Sequence, residues 1–134
     1  MQATVQWVEN LNFLATSGSG HQVSFDGDKG KHAPSPMEMV LMAMASCSSV
    51  DVVSILEKAR QRVTDVRCHV KGERADAVPA VFTDIHLEFV ITGYEVAANH
   101  VERAVQLSAE KYCSVAKMLE ASVNISHSFR IESA

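Results

Sequence analysis

No two histidines stand at HxxxH spacing, no two cysteines form a CxxC, and neither a Gly-rich phosphate loop nor a GxSxG elbow occurs. A metal centre, a phosphate cradle and a serine-hydrolase elbow are therefore not indicated, and no cofactor is expected. Cysteine is scarce. Cys47, Cys68 and Cys113 are an odd number of widely spaced thiols, which suits reduced side chains in a reducing compartment. Basic runs are missing as well: the nearest approach, Lys71 to Arg74, is broken by Gly72 and Glu73. With a net charge of −4, a nucleic-acid partner is disfavoured. The opening residues carry neither a basic start nor an apolar stretch, so no signal peptide is expected. The one membrane candidate has a charge-free run of only 12 residues, Met39 to Val50, between Glu38 and Asp51. A span needs about 20. These absences together point to a soluble, cytoplasmic protein.

What remains is an ordinary globular composition, 47% hydrophobic and 21% charged, in 134 residues. That length favours a single domain, residues 1–134, with a real core. Three short strands occupy the first 25 residues: Val5 and Trp7, then Leu11 and Phe13, then His21, Val23 and Phe25 alternate with polar neighbours. Ser17-Gly18-Ser19-Gly20 reads as a hairpin loop, and the charged loop Asp26–Ala33 as exposed and mobile.

A long helix follows, from Ser35 to about Arg60. Ser35 at N-cap, Pro36 at N1 and Glu38 at N3 make a capping box. The helix is apolar on nearly every face, so it must be buried. Val66, Cys68 and Val70 then mark a strand. Residues 79–92 mark a longer one, with Val81, Ile85, Leu87, Phe89 and Ile91 on one side. Residues 97–110 have helical spacing, with Val101, Ala104, Val105 and Ser108 on one face. A second helical pattern runs from Tyr112 to Ala121, and Val123, Ile125, Phe129 and Ile131 alternate in a last strand. The order βββ-α-ββ-αα-β is that of an α+β fold with antiparallel sheet around the central helix.

Cys47 lies in the middle of that helix and is either inert filling or a protected nucleophile. Ser46, Ser48 and Ser49 bring hydroxyls beside it, and Asp51 follows one turn later. Cys113 stands at a helix break, where unpaired N–H groups would favour a thiolate. Cys68 reads as structural. His69 and His86 should face outward, while His127 lies among inward residues as a hydrogen-bonded core histidine. Glu38 needs no catalytic explanation beyond its cap. Nine residues separate it from Cys47, which in a continuous helix means about 13 Å and opposite faces. The two could share a site only across a two-fold axis, and an all-round apolar helix also asks for a second covering surface. Both arguments point to a homodimer.

Two segments carry a family resemblance: Ser35-Pro36-Met37-Glu38 leading to Leu41-Met42-Ala43-Met44-Ala45-Ser46-Cys47, and Lys111-Tyr112-Cys113-Ser114-Val115-Ala116-Lys117-Met118-Leu119. With the element order, they resemble the OsmC/Ohr family (osmotically inducible protein C and organic hydroperoxide resistance protein) over essentially the whole chain. The resemblance implies an intertwined bacterial homodimer that reduces small organic hydroperoxides. Cys47 would be the peroxidatic thiol, Cys113 would resolve its sulfenic acid as a disulfide, a dithiol would reduce that disulfide, and Glu38 would be the active-site glutamate. Two positions depart from the pattern. Residues 1–59 contain no arginine, where the peroxidases place one before the central helix, which leaves Lys29, Lys31, His21 and His32 as candidate substitutes. Ser114 stands where the family usually has Pro. Two alternatives stay open: a non-catalytic dimer binding an apolar small molecule in an interface pocket lined by Met37, Met39, Met42 and Met44, and a thiol redox sensor.

Overall fold

Alternation in the first 26 residues gives a three-stranded antiparallel sheet in the order β1-β2-β3, from β1 (Ala3–Glu9), β2 (Asn12–Ser17) and β3 (Gln22–Asp26). The computed structural model describes all 134 residues, which form two units, Met1–Val40 and Leu41–Ala134. In the first unit the expected hairpin loop closes with Gly20 at φ +90°, a conformation glycine adopts freely. The Ser17 hydroxyl accepts the His21 N–H at 3.1 Å. Every residue of β1 is exposed, Val5 and Trp7 among them.

The Asp26–Ala33 loop is exposed only in part. Asp26 is buried, and its carboxylate accepts the N–H groups of Asp28 at 2.8 Å and His32 at 3.0 Å. A buried acid is thus the post around which a charged loop winds, a role that composition alone hides. Helix α1 (Pro36–Lys58) begins in this unit and continues unbroken into the next. Its capping box is present as expected: the Ser35 N–H donates to Glu38 Oε1 at 3.0 Å, and the Glu38 N–H donates to Ser35 Oγ at 3.2 Å. The helix stops at Arg60, in the left-handed region at φ +58°, with the Gln61 N–H donating back to the Leu56 carbonyl at 3.0 Å.

In the second unit β4 (Arg62–Arg74) and β5 (Phe82–Tyr94) form a long antiparallel hairpin, and β6 (Asn124–Ser133) pairs on the other side of β5. One pairing departs from expectation: β5 and β6 run parallel, from Asp84↔Asn124 to Gly93↔Ser133. Parallel neighbours need a crossover of a dozen or more residues. Here it is built from α2 (Ala98–Leu107), a π turn (Ser108–Tyr112) and α3 (Ser114–Leu119). Val81 falls outside β5 and is exposed, and Phe82 takes the buried position at its start.

Most of the core of this unit comes from three elements. Met44, Val52 and Leu56 come from α1; Ile85, Leu87, Phe89 and Ile91 from β5; Val101, Ala104 and Val105 from α2. Met44, Ser48, Val52 and Leu56 recur every fourth residue, so α1 buries one narrow stripe. The rest of the helix is not covered within the chain: Met42, Val50 and Val53 are 43%, 67% and 38% exposed. By length and composition α1 could cross a membrane, but its buried stripe lies against the sheet and α2, beside Leu87, Phe89 and Val105.

Candidate active site

Cys47 sits half-buried on α1, beside the core residue Ser48. Cys113, 66 positions later by subtraction of the residue numbers, is completely buried at the break between the π turn and α3. Its extended backbone (φ −74°, ψ +105°) makes it the N-cap of α3, and its Sγ accepts the Ala116 N–H at 3.4 Å. Its own N–H donates to the Ser108 carbonyl at 2.9 Å, which closes the π turn. The structure brings the two predicted cysteines together. The Cys47 and Ser48 side chains lie close enough to the Cys113 thiol to act on its ionisation, and none of the three cysteines is in a disulfide.

Electrostatics at Cys113 run against the thiolate expected at a helix break. Burial pushes its pKa up, the Ser48 hydroxyl and the Ala116 N–H pull it down less strongly, and the Cys47 thiol adds to the rise. The capping N–H is present, but desolvation outweighs it. Cys113 therefore keeps its proton until a chemical step removes it, which leaves the half-exposed Cys47 as the accessible partner.

The three serines around Cys47 have separate tasks. Ser48 faces Cys113, and Ser49 reaches the Cys68 thiol on β4. The Ser46 hydroxyl donates back to the Ala43 carbonyl at 3.1 Å. Burial pushes the Cys68 pKa up to about 11, against a smaller lowering by Ser49, as suits a structural thiol. Asp51 is engaged too: the buried Ser108 hydroxyl donates to its Oδ2 at 2.9 Å. Ser108 and the Ala116 amide are site members that sequence reasoning did not assign. Ser108 carried a signal nonetheless, because a polar residue on the inward face of α2's pattern must find a buried partner.

Glu38 is held in its capping box, and the N–H of Ser35 is the first cause of its lowered pKa. Gly30, at φ +70°, lies so close that any Cβ there would strike the Glu38 carboxylate. Three of the four candidate substitutes for the family arginine are engaged locally: Lys31 with Asp28 at 3.1 Å, His32 with Asp26 at 3.0 Å, and His21 with Ser19 at 3.1 Å. Lys29 has no ion-pair partner. His127 is not a core histidine; it is exposed, and its imidazole makes no hydrogen bond. His86 instead carries the polar network, bonding Ser126 at 2.7 Å and Ser128 at 2.9 Å across β6. Of the methionines, Met44 is wholly buried in the core and Met42 is exposed.

Comparison with known proteins identifies the family and the fold. The family of OsmC-like proteins matches residues 27–128. The chain is 56% identical to Protein YhfA of Escherichia coli (strain K12) over 134 residues, 100% of both chains. It is similar to a crystal structure of a protein from Aquifex aeolicus VF5, at 32% identity and TM-score 0.90, covering 99% of this chain and 96% of that one. An organic hydroperoxide resistance protein OsmC from Legionella pneumophila shares the fold at 18% identity and TM-score 0.71, covering 96% and 94%. With its thiol pair on the central helix and the crossover, the chain belongs to the OsmC-like family.

Proposed function

We propose that this protein is a thiol-dependent peroxidase acting on small organic hydroperoxides. The reading is carried by one observation, the contact between the half-exposed Cys47 and the buried Cys113. Deprotonated Cys47 attacks the distal peroxide oxygen; the O–O bond breaks, the alkoxide takes a proton and leaves as alcohol, and Cys47 becomes a sulfenic acid. Cys113 loses its proton and attacks the sulfenyl sulfur. Hydroxide leaves, is protonated to water, and a Cys47–Cys113 disulfide remains. An external dithiol returns the pair to thiols and is itself oxidised to a disulfide.

The same reading includes a homodimer in the cytoplasm. In this reading Glu38 of one protomer serves the Cys47 of its partner, as nine residues of helical spacing between them suggest. The exposed Met42, Val50 and Val53 supply apolar surface for such a partner to cover.

The test is a cumene hydroperoxide assay with a dithiol reductant. Wild type is expected to turn over, and Cys47→Ser to fall to background. Cys113→Ser is expected to stop after one turnover as a sulfenic acid that dimedone traps. Intact mass of wild type after one equivalent of peroxide should show loss of two hydrogens and a Cys47–Cys113 link. A link through Cys68, or no turnover at high enzyme concentration, would sink the peroxidase reading. Oxidation without turnover would instead identify a redox sensor.

A further inference from the structure

In the second unit a cavity of about 520 Å³ opens between the C-terminal half of α1, α2 and the π turn. Asp51, Ile55 and Lys58 face it at i, i+4 and i+7 on α1, and His100, Arg103 and Leu107 face it at i, i+3 and i+7 on α2. Tyr112 lines it from the π turn. Its size lies in the range of small-molecule sites, roughly 300–1,000 Å³.

Of the twelve lysines and arginines, Lys31, Arg67, Lys117 and Arg130 have carboxylates at ion-pair distance and the other eight do not, so what marks this cavity is that two unpaired cations line one concavity. Neither Lys58 nor Arg103 has such a partner, although Asp51 lines the same space. One Asp51 oxygen is already taken by the Ser108 hydroxyl. Two permanent cations without counterions thus converge on one concavity, with a histidine beside them and apolar surface from Ile55, Leu107 and the Tyr112 ring. A guanidinium fork and an ammonium suit a carboxylate, while the apolar wall asks for a carbon skeleton rather than a bare inorganic ion.

We propose that this cavity binds a small organic carboxylate with an apolar body, its carboxylate held between Lys58 and Arg103 and its body against Ile55, Leu107 and Tyr112. This assignment stands whether or not the thiol pair reduces hydroperoxides.

Titration calorimetry and amide NMR shifts with 4-phenylbutyrate at low salt test it. Neutral 4-phenylbutanol and inorganic phosphate serve as comparison ligands. Saturable binding of phenylbutyrate is expected, with amide shifts confined to residues 51–59 and 100–112. Phenylbutanol and phosphate should each bind about 10-fold more weakly or worse, a difference of about 1.4 kcal/mol. Lys58→Gln/Arg103→Gln should weaken phenylbutyrate about as much and leave phenylbutanol unchanged. Both side chains are exposed, so the double variant should keep the wild-type circular dichroism and melting curve. Absence of saturation, equal affinity for acid and alcohol, or unchanged affinity in the folded double variant would overturn the proposal. So would phosphate binding as tightly as phenylbutyrate.

Discussion

The hydroxyl of Ser108 donates to the carboxylate of Asp51 at 2.9 Å, and this bond ties α1 to the π turn that places Cys113 beside Cys47. Ser108 is 1% exposed, so water cannot replace the bond on the hydroxyl's side.

Ser108→Ala should therefore cost about 1–3 kcal/mol, because Asp51 loses its donor. The melting temperature should drop by roughly 3–5 °C per kcal/mol. Asp51→Asn keeps an acceptor oxygen and should cost less. Disulfide formation between Cys47 and Cys113 after one equivalent of peroxide should slow in the same order. A Ser108→Ala variant with wild-type melting and wild-type disulfide kinetics would remove this tie from the site.

Thiol accessibility gives a second expectation. Iodoacetamide at neutral pH should label Cys47 first, ahead of Cys68 and Cys113, because burial raises the pKa of both of the latter. The same shifts set an alkaline limit. A thiol with a raised folded-state pKa stabilises the fold fully below its unfolded value, 9.0 for Cys68, and that contribution is lost as pH rises toward about 11. Denaturant midpoints under reducing conditions should decline between pH 9 and 11, and Cys68→Ala should flatten part of the decline.

Glu38 separates two roles by experiment. Ser35→Ala should cost about 1 kcal/mol by removing the N-cap acceptor. Because the folded state lowers the Glu38 pKa, its contribution is present above the ordinary carboxylate value of 4.5. It is lost as pH falls through the lowered one. Glu38→Gln keeps the acceptor for the Ser35 N–H, so stability at pH 7 should stay near wild type while peroxidase kcat/KM falls. Full turnover by Glu38→Gln would confine the residue to its cap.

Much of this was legible in the residues. The capping box, the strand alternation and the helix break at Cys113 rest on local rules, and the structure has each of them. The meeting of Cys47 with Cys113 was implied by family resemblance rather than by any local pattern. Strand direction was not legible: an edge strand such as β6 alternates alike whether its neighbour runs parallel or antiparallel. Nor was the burial of Asp26, since its charge is compensated by backbone N–H groups that no composition reveals. The sign of the Cys113 shift failed for a related reason. Position at a helix start is a local fact, whereas the desolvation that outweighs it comes from distant elements.

The parallel pairing of β5 with β6 has a consequence for the order of events in folding. No contact near Cys47 in sequence can deliver its partner thiol; the chain must first bring α2 and the π turn of the crossover back onto α1. Such non-local closure comes late and slowly compared with helix formation. A chain without that long-range closure therefore holds three independent thiols, and the Cys47–Cys113 pair forms only once α2 and the π turn are docked. Oxidation to that one disulfide would thus serve as a stopwatch for the closure of the crossover.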